Sequence, residues 1–291
     1  MTLRTIKIFI AVAEEKNTHA AAKRLFISQP SVSQAIADLE QEYHVKLFER
    51  LSQRLYITET GEKLLGYAYH LLGTYDDIDH LLTTQGRHRT LHIGASVSVG
   101  TCLLDTYLDK IQAQNPDISV RVTVNNTSHI EKLLLESQLD AGVVEGEILD
   151  RNLICHKVCD DELVVVASPT HPLASVSELT VQDLAGQLFI SRESGSNDRN
   201  QFEKFLRKNQ IEVTKAWTCT NTQAIENAVI HGRGLAVLSR MLVQDKIRSG
   251  LLVEIRLKDI HITRDIRFVF HKDKYISDEL RQFASVCGVC L

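Results

Sequence analysis

No apolar run in this 291-residue chain approaches the ~20 residues that a membrane-spanning helix requires. No secretory leader is legible either. Residues 1–15 alternate Ile6, Phe9, Ile10 and Ala13 with Arg4, Lys7, Glu14 and Glu15, the pattern of an amphipathic helix. Repeats and low-complexity stretches are absent. The six cysteines lack paired spacing, which implies reduced thiols and a cytoplasmic setting. Enzyme signatures are missing as well. There is no Walker loop, Gly94-Ala95-Ser96-Val97-Ser98 approaches a nucleophile elbow without its second glycine, and Gly232-Arg233-Gly234 lacks the third glycine of a dinucleotide site. Cys155, His156 and Cys159 are metal-type residues with no second ligand pair, so they read as buried or incidental groups. Cys287 and Cys290 form a C-x-x-C at the tail with no βαβ unit opening on it, and Gly288 stands where a prenylation box needs cysteine. No catalytic residue, cofactor or metal site is therefore expected.

What is present decides the function class. Residues 18 to 60 read as a helix-turn-helix followed by a basic hairpin, a unit suited to the major groove of DNA. The first helix runs from Thr18 to Leu25 with Asn17 as N-cap, and Ala20, Ala21 and Ala22 allow close packing. After the turn Phe26-Ile27-Ser28, Ser28 caps a second helix with Pro30 in its first turn, and Val32, Ile36, Leu39 and Tyr43 recur at helical spacing. Gln29, Ser31, Ser33 and Gln34 form a polar face at its N-terminal end, where side chains meet base edges and free N–H groups meet phosphate. Residues 1–60 hold eight Lys or Arg against seven Asp or Glu. Lys23, Arg24, Arg50 and Arg54 cluster around the motif as phosphate contacts, with Glu14, Glu15, Glu40 and Glu42 expected on other faces.

The segment AAKRLFISQPSVSQAIADLEQEYHVKLFERLSQRLYITETG resembles the N-terminal domain of LysR-type transcriptional regulators. The anchors of that resemblance include Ala21, Ala22, Leu25, Ser28, Gln29 and Pro30 in the motif, with Leu47, Phe48, Arg50, Thr58 and Gly61 beyond it. Three positions depart from the pattern: Thr18 replaces an aromatic, His44 a glycine after the recognition helix, and Ser52 the glycine of the wing.

From Gly61 to Gln85 the residues Leu64, Ala68, Leu71, Tyr75, Ile78 and Leu82 alternate in steps of four and three, an a/d seam that calls for a partner helix. Leu65, Leu72 and Leu81 widen the stripe enough for packing on the helix's own domain. Dimerisation is the reading adopted, because a two-fold dimer reads two half-sites, and the resemblance implies that this helix forms the dimer. The link Gly86-Arg87-His88-Arg89-Thr90 then breaks the helix.

About 200 residues remain, and their pattern alternates strands with helices. Strands are expected at Leu91 to Ser96, Ile118 to Val124, Ala141 to Glu145 and Leu163 to Ala167, with a helix over Gly100 to Gln114. A second α/β unit holds Leu188 to Ser191 and Leu235 to Ser239, in the rhythm of a parallel sheet. The resemblance implies that the chain crosses near Ser168 and returns with Arg267 to Phe270, giving the two-lobed fold shared with periplasmic binding proteins. The architecture expected is thus α+β and multidomain. It comprises a winged helix-turn-helix over 1–60, a linker and dimerisation helix with hinge over 61–89, and an effector-binding domain over 90–291. In the last, lobe I covers about 90–167 and 267–291, and lobe II about 168–266.

Ligands of open α/β sheets sit beyond the carboxyl ends of the strands. Three hydroxyl-rich loops lie there: Ser96-Val97-Ser98, Asn126-Thr127-Ser128, and Ser191 to Ser196. Short donors beside helix N-termini favour an anion, and Arg192 adds charge. The same hydroxyls can equally serve as helix caps. The family places its inducer contacts in matching loops, so the resemblance implies effector contacts at Ser96, Ser98, Thr127, Ser128, Ser194 and Ser196. Val143-Val144-Glu145-Gly146 and the loop Arg192 to Ser196 resemble members linked to sulfur metabolism. The net charge of −4 and the pI near 6.3 place the acidic excess on this region, away from DNA.

The chain is accordingly read as a homodimeric or homotetrameric regulator of transcription. It binds double-stranded DNA and a small anionic effector, a sulfur oxyanion or carboxylate. Two alternatives remain open at this point: a binding or catalytic protein with an accessory DNA-binding domain, and a DNA-binding regulator whose C-terminal domain only drives assembly.

Overall fold

The computed structural model describes residues 1–51, 54–83, 90–258 and 260–291. They fall into two compact units, one holding the elements up to Thr83 together with Leu135–Gln138, the other the remaining residues from Thr90 onward.

The first unit is built on three short helices. Helix α1 (Leu3–Glu15) is capped by the Thr2 side chain, which accepts from the Thr5 amide at 3.1 Å, and it buries Ile6, Phe9 and Val12. Helix α2 (Thr18–Arg24) starts at Asn17, whose Oδ1 accepts from the amides of His19 and Ala20 at 2.8 and 3.2 Å. Helix α3 (Gln29–Tyr43) starts at Ser28, whose hydroxyl accepts from the Ser31 amide at 3.3 Å, with Pro30 in the first turn. Val32, Ile36 and Leu39 face Ala21 and Ala22 in one core. Tyr43, expected on the same stripe, is exposed instead, because α3 ends there: His44 takes φ 53°, the left-handed cap in which the resembling family has glycine. Strands β1 (Phe48–Leu51) and β2 (Arg54–Ile57) pair antiparallel, with Phe48 opposite Ile57. Ser52 lies outside the described residues, as do the side chains of Arg50, Arg54 and Leu81 and the link from Gly86 to Arg89.

Helix α4 (Glu59–Thr83) follows the hairpin, and its first turn has no room for a side chain at Gly61. A Cβ on Gly61 would meet the Leu47 carbonyl oxygen and stand 2.6 Å from Ile57 Cγ1. We expect Gly61→Ala to destabilise the first unit by about 1–3 kcal/mol through overpacking, read as a lower melting temperature. An unchanged melting temperature would mean that the hairpin yields freely to the helix.

In the second unit, β3 (Thr90–Ala95) lies between β4 (Ser119–Val124) and β5 (Ala141–Glu145), parallel to both. The expected helix over residues 100–114 is two helices, α5 (Val97–Cys102) and α6 (Leu104–Gln114), meeting at Leu103. Helix α7 (Thr127–Leu135) leads from β4 to β5. The run Leu163 to Ala167 departs from the parallel rhythm: it ends a 15-residue strand, β6 (Leu153–Ala167), all of whose partners are antiparallel. Those partners are β9 (Ala236–Ser239), β10 (Val253–Ile255) and β11 (Ile262–His271). Strands β6 and β11 run side by side past both lobes, with a register shift at Ile266/Arg267. They were illegible as crossing strands because the consecutive Asp160, Asp161 and Glu162 of β6 and the adjacent Arg264 and Asp265 of β11 stand where a buried strand is apolar throughout.

Lobe I buries Leu91, Ile93, Val143, Phe268 and, from α11 (Asp278–Val286), Phe283 in one cluster. The other lobe carries β7 (Leu188–Arg192) parallel to β8 (Thr214–Cys219), with α8 (Asn197–Asn209), α9 (Thr222–Ile230) and α10 (Arg240–Arg248) around them. Leu235, expected in the strand, precedes β9 and bridges Phe189 in parallel. Among the described residues no helix is long and apolar enough to cross a membrane.

Candidate functional site

The DNA-facing candidates occupy the N-terminal half of α3. Ser28, Gln29, Pro30, Ser31 and Gln34 are exposed and Ser33 is half-buried. Gln29 Nε2 donates to Ser33 Oγ at 2.9 Å and to Thr18 Oγ1 at 3.3 Å, which holds the amide flat against the helix start. Gln34 Nε2 donates to Asp38 Oδ1 at 2.6 Å. The basic rim is less free than expected. Glu14 and Glu15, placed on other faces by the sequence reading, both accept from the Arg24 guanidinium, because α1 and α2 pack with those ends together. Lys23 is exposed. Glu40 accepts from Lys46 at 2.6 Å and from the Leu47 and Phe48 amides at 2.8 and 3.1 Å, and so ties the hairpin's entry to α3. Burial works against the Glu40 charge, but these donors hold its carboxyl below the usual range.

The seam of α4 divides in two. Ala68 is buried in the core of its own unit, and Leu64, Leu65, Leu72 and Tyr69 pack against that core. Leu71, Tyr75, Ile78 and Leu82 are left exposed, Leu71 at 40 %.

In the second unit the three loops do converge, and what they surround was not foreseen. Arg264 of β11, its side chain 0 % exposed, reaches Asp161 Oδ2 of β6 at 2.8 Å, Asp198 Oδ1 of α8 at 2.5 Å and Glu145 Oε1 of β5 at 3.6 Å. It also donates to Asn197 Oδ1 at 3.3 Å and to Ser98 Oγ at 3.4 Å. Burial disfavours the guanidinium charge, yet Asp198, Glu145 and Asp161 together hold its pKa above the ordinary value. Asp161 is fixed from its other side by Ser239 Oγ at 2.9 Å. Arg192 does not stand free for a ligand as expected: it is buried, donates to Glu193 at 2.9 and 3.1 Å and lies 3.5 Å from Asp198. Burial opposes its charge too, and Glu193 and Asp198 outweigh it.

The hydroxyls are placed differently from simple caps. Ser96 and Ser196 stand at the N-cap positions of α5 and α8 but make no capping bond, and both are buried. Ser98 is fully buried. Asn126, rather than Thr127 or Ser128, caps α7 by accepting from the His129 amide at 3.0 Å. Thr127 is thereby free to turn inward, donating to the Glu145 carbonyl at 3.4 Å. Ser128 and Ser194 are exposed at the rim. There the lobes touch: Asn126 Nδ2 donates to Glu193 Oε1 at 3.2 Å, and the Ser128 amide to the Gly195 carbonyl at 3.3 Å.

Sequence reasoning missed Arg264, Asp161 and Asp198 as site residues and quoted Glu145 only within a resemblance. Nothing local marks them, since Arg264 lies 103 residues from Asp161 and 66 from Asp198. Of the cysteines, Cys102, Cys155, Cys159 and Cys219 are half-buried and Cys290 is exposed. Cys287 is buried beside the lobe I core with its thiol pushed up to about 12 by burial, and burial raises Cys155 and Cys159 as well.

With this geometry in place, the comparisons with known proteins agree. Residues 3–62 match the bacterial regulatory helix-turn-helix family of lysR type, and residues 84–288 match the LysR substrate binding domain. The chain belongs to the LysR family of transcriptional regulators, DNA-binding proteins with an effector-binding domain. It is 31 % identical over 287 residues to the uncharacterized HTH-type transcriptional regulator YeiE of Escherichia coli K12, covering 99 % of this chain and 97 % of that one. In fold it resembles full-length OxyR from Pseudomonas aeruginosa, with a TM-score of 0.71, 20 % identity, and coverage of 100 % and 95 % of the two chains. The regulatory domain of Synechocystis CcmR in complex with 2-PG gives a TM-score of 0.64 at 23 % identity, covering 68 % of this chain and 95 % of that one.

Proposed function

We propose that this regulator reads operator DNA with Gln29, Ser31, Ser33 and Gln34, holds the backbone with Lys23, Arg50 and Arg54, and acts in the cytoplasm as a dimer or tetramer. Its dimer seam is the exposed part of α4, from Leu71 to Leu82. Domain limits of 1–60, 61–89 and 90–291 suit this division. The effector is a small anion, with sulfur oxyanions and carboxylates first in line, bound between Ser96, Ser98, Thr127 and Ser196 beside Arg264 and Arg192. Ser128, Ser194 and the Asn126–Glu193 contact form the gate. One observation carries the effector reading: the buried Ser96 and Ser196 hydroxyls occupy cap positions without capping, while Thr127 turns inward to the Glu145 carbonyl and Ser98 accepts from the buried Arg264 guanidinium.

Two measurements test the assignment. Gln29→Ala or Ser33→Ala is expected to cost about 1–3 kcal/mol on the specific operator and little on random DNA, whereas Arg50→Ala or Arg54→Ala weakens both. Gel-shift titrations giving equal losses on both DNAs for all four variants contradict that division. Ser98→Ala and Thr127→Ala each remove one hydroxyl from the cleft, a loss of about 0.5–1.5 kcal/mol in effector affinity. The effector concentration needed for a transcriptional response shifts accordingly, while operator occupancy without effector stays put. An unshifted dose response in both folded variants moves the effector site elsewhere.

A further inference from the structure

The charges around the cleft do not balance, and the imbalance says how an anion can enter. Two guanidiniums, Arg264 and Arg192, face four carboxylates, Glu145, Asp161, Asp198 and Glu193. Asp161 and Glu193 are well bonded. The other two each keep one poorly served oxygen: Asp198 Oδ1 is held by Arg264, but Asp198 Oδ2, 3.5 Å from Arg192, and Glu145 Oε2 are buried without a hydrogen-bond partner, as is the Ser96 hydroxyl. Native interiors rarely leave such groups unsatisfied, so each points to something that completes it. Both carboxylate oxygens are acceptors when ionised, and a plain anion brings only more acceptors. Placing it beside them without a donor in between would set like charges against each other in a site closed to water.

A proton resolves this. Resting on the anionic reading above, we propose that the cleft takes up its effector together with one proton, shared between the ligand and the Glu145 carboxyl. The balance is simple: a Glu145 carboxylate, a solvent proton and the anion give a neutral Glu145 carboxylic acid donating its O–H to the bound anion, with no other reactant. The neutral acid then joins Ser96, Ser98 and the Arg264 guanidinium as a donor, and Asp198 keeps the guanidiniums.

The surroundings of Glu145 favour this group over its neighbours. From β11 it faces Arg264, from α8 Asp198, from β6 Asp161 through the shared guanidinium, from β7 Arg192, and from α5 Ser98 and Cys102. Helices α9 and α10 add Glu226, paired with Lys246, and Asp245 to the field at Cys102. Asp161 and Asp198 each lie within 2.8 Å of the Arg264 guanidinium, whereas Glu145 stands off at 3.6 Å. Burial pushes the Glu145 carboxyl above the usual range, Arg264 opposing and Asp198 adding to the rise. A carboxyl so raised keeps its proton at low pH and loses it as pH climbs. Anion affinity is therefore level below the unliganded Glu145 value and falls about tenfold per pH unit above it.

The test uses the full-length protein and anions that stay ionised over the range studied: sulfate, methanesulfonate and acetate. In the complex at about pH 8, near the top of the physiological range, infrared difference spectroscopy is expected to show a protonated carboxyl C=O band that Glu145→Gln removes. The Glu145→Gln variant, whose amide supplies the donor without titrating, should bind the same anion with affinity flat in pH. A bound complex lacking the Glu145 acid band overturns the proposal while leaving the anion site intact. So does a Glu145→Gln variant that keeps the wild-type pH profile. Binding of none of the three anions, or of the dication putrescine in their place, overturns the anionic reading and this inference together.

Discussion

Replacing Arg264 with methionine is expected to cost the effector-binding unit about 3–5 kcal/mol, the range found when one partner of a buried ion pair is removed. The reason is the number of groups that depend on it. Arg264 is the shared partner of Asp161, Asp198 and Glu145, all nearly inaccessible to solvent, so its loss takes the nearest cation from three buried carboxylates at once and leaves Asp161 only the Ser239 hydroxyl and Asp198 only the more distant Arg192. Proton uptake offers local relief. A carboxyl whose folded pKa is raised above its unfolded value stabilises the fold at low pH and loses that contribution as pH rises. The deficit of Arg264→Met should thus be smallest near about pH 5 and grow toward about pH 8. Chemical denaturation across that range measures it. A deficit below 1 kcal/mol, or one that shrinks as pH rises, would show that the three acids are held by other groups.

Leu71→Glu should dissolve the oligomer while sparing the fold. Leu71 is already 40 % exposed within one chain, and the buried contact of α4 with its own unit runs through Ala68. A charge at Leu71 is harmless in the monomer. At the centre of a helix pair it would be buried without a partner, at a cost of several kcal/mol. Sedimentation at micromolar concentration should show monomers with an unchanged helical spectrum, and specific operator binding should collapse because two half-sites are no longer read by one particle. A variant that still sediments as a dimer places the interface elsewhere than this seam.

The sequence by itself determined what local chemistry controls. Asn17 and Ser28 cap the helices they were expected to cap, Pro30 sits in a first turn, and the apolar stripe of Val32, Ile36 and Leu39 meets Ala21 and Ala22. Each depends on residues a few positions apart, so periodicity and capping rules suffice. The parallel start of the second unit, β3 with β4 and β5, was legible for the same reason. Tertiary structure alone decided where strands β6 and β11 run, since a 15-residue strand interrupted by Asp160, Asp161 and Glu162 gains its partners only from distant segments. It alone paired Arg24 with Glu14 and Glu15 across two helices. It alone divided the α4 stripe into a half buried in its own unit and a half left bare, a division the heptad pattern cannot make because both halves share one periodicity. And it alone gathered Arg264, Glu145, Asp161 and Asp198 into one buried cluster, because side chains that meet only after the lobes close leave no spacing in the chain to read.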